Sequence, residues 1–286
     1  MNLHLHPAGK QRFSVTTHCG CRLLLTVLLA WASAGNGAAA ADWAGYTRLD
    51  RAQVTAELST ATAAAPADFY ARNLSGLDLS SIDFKGANLA AAVLNGSRLR
   101  HANLARCNLT VSFGEGADFS EANLAGAMMF SMQLKGADFT GANLAGARFI
   151  GDMSGAKLRG ANLAGLQGAA DMKNQSMGLM RASFASADLR GANLAGADLK
   201  RADFSFADLR GATLTNANLA GAEFASTDLS GADLTGADLR GAEFSDTRFT
   251  DAVLTGARFD GASWRGAQGM ENAAARGAIG IPADLR

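Results

Sequence analysis

A five-residue repeat constrains the fold of this chain more than any other feature of its sequence. The unit reads Ala-(Asp/Asn)-(Leu/Phe)-x-Gly, and its apolar centre recurs every five residues from Leu74 to Phe149 and from Phe184 to Trp264. These two runs hold 16 and 17 units, and Leu158 and Leu163 between them bring the total to 35. Any fold proposed for the chain must account for this period before anything else.

A period of five matches neither the 3.6-residue period of an α-helix nor the two-residue alternation of a strand. The chain must instead turn once in every unit. The apolar centre and the small residue two positions before it can both point inward, while the Asp or Asn between them points outward. The glycine two positions after the centre suits a turn with positive φ, which other residues resist. The pattern predicts an all-β solenoid.

Aromatic centres indicate how many units make one coil. In the second run they recur at intervals of 20, at Phe184, Phe204, Phe224, Phe244 and Trp264. Phe119 and Phe139 repeat this spacing in the first run. Four units per coil would place these rings above one another, with coils about 4.8 Å apart. The 35 units then predict about nine coils.

Through these units the sequence resembles the pentapeptide-repeat family, over residues 72–149 and 182–269. The resemblance implies a right-handed quadrilateral β-helix whose core is lined by the central Leu or Phe and the preceding small residue. It also implies that the outer faces are available for binding. Some members resemble B-form DNA in shape and charge and protect topoisomerases, and many others have no assigned activity. Exposed terminal coils can dimerise end to end in this family, but the cap predicted over residues 270–286 would cover such a coil and disfavours a homodimer of this kind.

Residues 1–41 have the features of a secretory signal peptide. Basic residues precede an apolar run over 23–34, and small residues follow up to Ala41. The run of 12 residues would make a helix of about 18 Å, too short for a hydrocarbon core of about 30 Å. We expect cleavage near Ala41, a periplasmic or secreted protein, and no transmembrane span in the mature chain. An uncleaved anchor and a misassigned start codon are the alternatives.

Segments outside the repeat divide the rest of the chain. Residues 42–71 are predicted to form an N-terminal helical cap or linker, with a helix from Thr47 to Thr60 and Thr47 as its N-cap. The first repeat segment is 72–165 and the second is 182–269. Residues 166–181 lack the repeat and form a central insertion, either a binding loop or a packed plug or spacer. Residues 270–286 leave the pattern and are predicted to form a short helical C-terminal cap.

The composition disfavours nucleic-acid binding and points to no catalytic site. The chain has 26 Lys and Arg and 26 Asp and Glu, whereas a nucleic-acid reader needs clustered positive charge. Three of the four histidines, and also Cys19 and Cys21, fall in the predicted signal peptide. His101 is expected on a solvated corner, and Cys107 at an inward position as a buried small residue. We predict that the protein is not an enzyme and has no catalytic residues, no cofactor and no metal site.

Methionine and acidic residues support two alternative functions. Thioethers are soft ligands that suit copper, so a metal binder is one alternative, although methionine also fills irregular cores. Seven of the nine methionines lie close together, at Met128, Met129, Met132, Met153, Met172, Met177 and Met180. Outward acids recur in the second segment, at Asp188, Asp198, Asp203, Asp208, Glu223, Asp228, Asp233, Asp238 and Glu243.

Such a row could mimic the phosphates of DNA, but arginines and lysines at neighbouring outward positions would screen it. The function predicted from the sequence is therefore a non-enzymatic, exported scaffold that presents rigid outer faces to an unknown protein partner in the cell envelope. A DNA mimic that protects topoisomerase is the second hypothesis, and a methionine-rich copper binder is the third.

Overall fold

The computed structural model describes Trp43 and residues 45–169, 181–271 and 276–282. The chain divides into two compact units, Met1–Trp43 and Ala44–Arg286, and all of the described helices and strands lie in the second. The predicted signal peptide, residues 1–41, lies outside the described residues.

Short parallel strands and one helix make up the described secondary structure. In chain order the elements are β1 (Thr47–Arg48), α1 (Arg51–Thr60), β2 (Arg72–Asn73), β3 (Met128–Gln133), β4 (Arg148–Asp152), β5 (Ala182–Ser183), β6 (Glu243–Ser245) and β7 (Ser263–Arg265). β1 pairs with β2, β4 lies between β3 and β5, and β6 pairs with β7, all in parallel. Among the residues that the structure describes, no helix is both long enough and apolar enough to cross a membrane.

Parallel bridges between residues 20 apart connect most of the remaining chain. Asp68 pairs with Asn88, Asn88 pairs with Asn108, and the same step recurs on every side of the coil. The backbone supports each bridge, as where the Leu89 N–H donates to the Asn108 carbonyl at 2.7 Å. One coil therefore takes four units, as the aromatic spacing predicts, and successive coils stack in parallel as a β-helix.

The inward and outward positions agree with the repeat pattern. Leu89 and Ala87 are fully buried, whereas Asn88 between them is partly exposed. The outward Asp or Asn also serves the turn, since Asp118 Oδ1 accepts the Ser120 N–H at 2.9 Å. Glycines two positions after a centre have positive φ, as at Gly76 (φ 69°). Units with an outward Asp or Asn can thus close their turn with both a side-chain hydrogen bond and a left-handed residue.

The aromatic centres stack as predicted. The ring centroids of Phe184, Phe204 and Phe224 lie 5.2 Å apart in both steps, with interplanar angles of 8° and 7°. Phe119 and Phe139 stack at 4.7 Å and 2°. Offset stacking of this kind adds to the gain from burial alone, so the rings fix the lateral register of neighbouring coils.

One residue is missing from the coil that contains β4. Phe130 pairs with Ile150, but Met132 pairs with Gly151, so Ser131 has no counterpart. A Cβ on Gly151 would overlap the backbone oxygen of Met132, and glycine is therefore required where the two strands come back into register. The shortened coil explains why the repeat advances by nine residues between Phe149 and Leu158.

The central insertion lengthens one coil. Lys157 pairs with Asp188 and Asn162 pairs with Asn193, whereas most of the described bridges join positions that are 20 apart. Leu166 is fully buried and the Gly168 N–H donates to the Asp198 carbonyl at 2.8 Å, so the solenoid continues into the predicted insertion 166–181. Residues 170–180 of that segment lie outside the described residues.

The N-terminal helix is shorter than predicted and has a different cap. Thr47 is not the N-cap, because it belongs to β1 and pairs with Arg72. Asp50 caps α1 instead: its Oδ1 accepts the Gln53 N–H at 2.8 Å, and the Gln53 Oε1 accepts the Asp50 N–H at 2.8 Å. This reciprocal capping box satisfies two backbone donors and starts the helix at Arg51.

The coil pairing extends beyond both ends of the predicted repeat. At the N-terminal end, the Phe69 N–H donates to the Asn88 carbonyl at 2.7 Å, and the Phe69 ring is fully buried. At the C-terminal end, Ile279 pairs with Arg258, and the Ile281 side chain is buried. Residues 272–275 and 283–286 of the predicted helical cap 270–286 lie outside the described residues.

The assignment of inward and outward positions predicts that substitutions at two adjacent residues differ in their effect on stability. Ala207→Leu should destabilise the protein by about 1–3 kcal/mol, since the buried Ala207 site has no room for a larger side chain. Asp208→Asn should cost less than about 1 kcal/mol, because exposed ion pairs contribute little and Asn can still accept the turn hydrogen bond. Thermal melts of both variants measure the difference, and the reverse order of stability would contradict the assignment.

Candidate functional site

The outer faces of the β-helix carry the charged side chains of the described repeat. Because one coil takes four units, acids five residues apart lie on different sides of the coil. The predicted acidic row is therefore not one stripe. The bridges divide it into separate columns, one with Asp188, Asp208 and Asp228, a second with Asp203, Glu223 and Glu243, a third with Asp198 and Asp238, and a fourth with Asp233.

The first column is an ion-pair ladder, formed by Asp188, Arg190, Asp208, Arg210, Asp228 and Arg248. Arg190 contacts Asp188 at 2.5 Å and Asp208 on the next coil at 3.3 Å. Arg210 repeats the pattern with Asp208 at 2.6 Å and Asp228 at 3.9 Å. The hydrogen bond from Arg190 lowers the pKa of the Asp188 carboxyl, although partial burial acts against it. Each charge on this face thus has a neighbour of opposite sign.

The second column keeps a net negative charge. We call Asp203, Glu223 and Glu243 the acidic column. The Arg181 guanidinium lies between two coils, 3.3 Å from Asp203 Oδ2 and 2.9 Å from Glu223 Oε2. The hydrogen bonds with Glu223 raise the pKa of Arg181 above its usual value, although partial burial acts against this. Arg181 is the last residue of the predicted insertion 166–181, so this contact fixes where the chain rejoins the solenoid.

The fourth column carries an asparagine ladder that is uncharged from Asn103 to Asn193 and lies between Asp83 and Asp233. From Asn123 onward, each amide Nδ2 donates to the Oδ1 of the asparagine on the coil before it, at 3.1–3.2 Å. The ladder consists of Asn103, Asn123, Asn143, Asn162 and Asn193. The same oxygens accept backbone N–H groups, as from Ala125 to Asn123 at 3.2 Å. These side chains stabilise the solenoid itself.

His101 has a partner that sequence reasoning missed. Its Nδ1 lies 3.2 Å from Glu121 Oε2, and Arg100 lies 3.1 Å from the other oxygen of the same carboxylate. Glu121 is distant along the chain but one coil away in space, and the 20-residue period could have identified it. All three side chains are about half exposed, so this is a surface ion pair of small energetic value.

Cys107 is fully buried at an inward position, as predicted. Burial raises the pKa of its thiol to about 12. The thiolate is the reactive form of cysteine, and the folded protein holds very little of it at neutral pH. Cys19 and Cys21 lie outside the described residues.

The described methionines mostly fill the core. Met129, Met132 and Met153 are fully buried, and Met128 is 37% exposed. Met132 fills space next to Gly114, a centre without a side chain: its Cε lies 3.3 Å from where a Cβ on Gly114 would be. Met172, Met177 and Met180 lie outside the described residues. In the part of the chain that is described, no group of three or more His, Cys, Asp or Glu side chains is placed to hold a metal ion.

These features define a β-helical repeat protein, and comparison with known proteins gives its family. A family model described as pentapeptide repeats matches the chain in eight copies, over residues 73–110, 117–151, 133–167, 179–216 and 217–256. The matches cover more than half of the sequence. The chain belongs to the pentapeptide-repeat family, as the sequence resemblance predicts.

Solved structures of pentapeptide repeat proteins are similar to this chain. HetL from the cyanobacterium Nostoc sp. strain PCC 7120, involved in heterocyst differentiation regulation, is 27% identical over 77% of this chain and 92% of its own, with a TM-score of 0.49. QnrB1, a plasmid-mediated fluoroquinolone resistance protein, is 20% identical over 65% and 86%, with a TM-score of 0.39. Rfr23 from the cyanobacterium Cyanothece 51142 is 29% identical over 38% and 63%, with a TM-score of 0.29. No curated protein matches the chain.

The ion-pair ladder predicts a pH dependence of stability. The pKa of Asp188 is lowered in the folded protein. Ionised Asp188 therefore stabilises the fold at pH values above its unfolded-state pKa, and this stabilisation is lost as the pH falls through the folded-state pKa. Arg190→Gln removes the main cause, so the variant should lose less stability than the wild type on acidification. We expect its melting temperature at neutral pH to fall by at most about 2–4 °C.

Melting curves at neutral pH and at about pH 3 measure this difference between the two proteins. Lys200→Gln, an exposed change on another side of the coil, is the matched control and should retain the wild-type pH dependence. Equal losses in the wild type and Arg190→Gln would contradict the prediction.

The burial of Cys107 predicts a protected thiol. In the folded protein, iodoacetamide at about pH 8 should leave Cys107 unmodified, because its pKa is raised to about 12 and the side chain has no access to solvent. In denaturant the same cysteine should react completely. Peptide mass spectrometry measures both extents, and rapid modification of the folded protein would show that this coil opens.

Proposed function

We propose that the protein is a non-enzymatic, exported scaffold that presents rigid outer faces for protein interaction. In this proposal the solenoid is a right-handed, four-sided rod of about nine coils, and its partner is a protein of the cell envelope. The observation that carries the proposal is the ordering of the outer faces, where charged side chains are held at a fixed spacing by ladders between coils.

Rigidity is the mechanism in this proposal. Inward centres are buried on every side of the coil, and apolar burial contributes about 25 cal/mol for each Å² removed from water. The stacked rings behind the acidic column, at Phe204, Phe224 and Phe244, lie 5.2 and 5.3 Å apart. A partner that binds such a face meets side chains whose positions are already fixed, so it loses less conformational entropy on binding.

The chemistry of the described faces supports a binding role over a catalytic one. Outward carboxylates accept backbone N–H groups of their own turns and pair with neighbouring guanidinium groups. Asp238, for example, accepts the Arg240 N–H and lies 2.5 Å from the Arg240 guanidinium. The hydrogen bond from Arg240 lowers the pKa of Asp238, which makes this acid a poor proton donor near neutral pH.

Export is proposed from the sequence of residues 1–41, whose basic, apolar and small-residue regions follow one another as in a signal peptide. It would place the mature protein in the periplasm or outside the cell. It would also separate the protein from cytoplasmic topoisomerases, which disfavours a DNA-mimic function.

The acidic column favours the DNA-mimic hypothesis as the second candidate, since it repeats a negative charge once per coil. The ion-pair ladder on the neighbouring face weighs against it, because its arginines cancel the negative charge there. The copper hypothesis has less support, since Met129, Met132 and Met153 have no exposed thioether.

Cell fractionation combined with N-terminal sequencing tests the proposal. We expect a mature N-terminus near Asp42 and a protein outside the cytoplasm. Affinity capture should then recover a defined envelope protein, and a charge reversal such as Glu243→Lys should weaken its binding. The matched control is Asp251→Lys, at an exposed corner away from the acidic column, where Lys85 shows that the same kind of position accepts a lysine.

An intact N-terminus at Met1 in the cytoplasm would contradict export. A supercoiling assay would then follow, and protection of topoisomerase would replace the scaffold proposal with the DNA-mimic hypothesis.

A further inference from the structure

Phe206 is the most exposed of the large apolar side chains that the structure describes, with 65% of its surface accessible. It stands two positions after a centre, where its φ of 61° lies in the left-handed region. A bulky side chain is unfavourable there, and small residues are the usual occupants. The coils on either side have Ser186 and Ser226 at the same position, so the fold itself does not require an aromatic ring.

The backbone holds Phe206 in a fixed position. Its N–H donates to the Ala225 carbonyl at 2.7 Å, and the Ser186 N–H donates to the Ser205 carbonyl at 2.8 Å. The buried rings of Phe204 and Phe224 stack directly behind this corner. The Phe206 side chain therefore projects from a rigid backbone and is a preorganised apolar contact.

The surroundings of Phe206 are negatively charged. The acidic column lies on one side of its corner, and Asp246 occupies the same corner position two coils further on. Arg181 contacts two of the three acids of this column. The ion-pair ladder on the other side of the corner is close to neutral. A surface that receives Phe206 should therefore combine an apolar floor with a positive rim.

The chain has such a surface at its N-terminal end. A groove of about 780 Å³ is lined in part by small residues, Ala63 in the segment that follows α1 and Gly86, Ala105 and Ala125 in the coils. Its volume is ample for a phenyl ring. The three alanines offer apolar contact to such a ring.

Two cations and one acid stand around this groove, Lys85, Arg106 and Asp83. The Lys85 ammonium is held in place by the carbonyl of Leu58 at 2.9 Å, so its charge is fixed beside the groove. Asp83 accepts a hydrogen bond from Asn103 at 2.9 Å. The rim has a net positive charge and complements the acidic column.

We propose that Phe206 of one copy inserts into the Ala63–Ala105–Ala125 groove of a second copy of this chain. The inference rests on the proposed function, in which outer faces bind protein, and it names one partner. The two contacting surfaces differ, so after pairing one copy keeps a free groove and the other keeps a free Phe206. Such a head-to-tail contact extends into chains longer than a dimer unless the geometry closes a ring.

Sedimentation velocity of the purified protein between about 1 and 100 µM tests the proposal. The wild type should form species larger than a dimer as its concentration rises, and less so at high salt. Phe206→Ser should raise the dissociation constant of self-association by about 30-fold or more, as expected for an interface anchor. Ser already stands at this position in the neighbouring coils, so the variant should fold normally.

Ala105→Arg blocks the groove from the other side of the contact. Arg190, Arg210 and Arg240 occupy the position directly after a centre in other units, so the substitution is compatible with the fold. Ala125→Arg is a second, equivalent block. Each variant should be monomeric alone. An equimolar mixture of Phe206→Ser and Ala105→Arg should form dimers and nothing larger, since one intact groove meets one intact Phe206.

Val253→Ser removes another exposed apolar side chain and is the control, which should associate like the wild type. A monomeric wild type, wild-type association by Phe206→Ser, or a mixture that stays monomeric would each overturn the inference. None of these results bears on cell location or on envelope partners, so failure of the proposed function would be recognised separately.

Discussion

Every other feature of the structure depends on the turn that closes each five-residue unit. In most units the turn places a left-handed residue two positions after the centre. Where an Asp or Asn stands one position before the centre, its side chain can also accept the backbone N–H of the residue directly after the centre. At Asp233, a single carboxylate oxygen accepts both the N–H and the hydroxyl of Thr235, at 2.9 and 2.6 Å. Because this chemistry repeats, the centres line up and each coil can bond to the next. Coil stacking then buries the core that an isolated unit could not bury.

Departures from the period show how strictly the coils are coupled. The coil that lacks one residue places Gly151 beside the Met132 backbone, and the next coil takes in the insertion without losing its pairing on the other faces. The buried hydroxyls at inward positions have internal partners, since Ser97, Ser112, Thr227 and Thr247 each donate to a backbone carbonyl. Thr227 is buried and donates its hydroxyl to the Phe204 carbonyl at 2.7 Å. The solenoid thus accepts irregularity where the backbone hydrogen bonds between coils are kept.

Much of this fold could be predicted from the sequence, because the period itself encodes the contacts. The spacing of Phe184 and Phe204 predicted their stacking, and the position of Cys107 predicted its burial. The N-cap was wrong because a short strand at Thr47 depends on pairing with Arg72, which no local pattern reveals. The sequence analysis also missed a unit centred on Met153. One deleted residue shifts Met153 out of the five-residue register, although its side chain is buried in the coil like the other centres.

The candidate surfaces were harder to predict than the core. In the sequence, nine acids look like one row, but a step of five residues changes the face, whereas a step of 20 keeps it. Reading the chain at a spacing of 20 separates the paired Asp188–Asp228 column from the acidic column and brings Glu121 to His101. A fixed core and fixed turns leave few positions free to vary, chiefly the corners and the residues directly after each centre. Surface features that distinguish one such protein from another must therefore arise at those positions, and Phe206 occupies one of the corners.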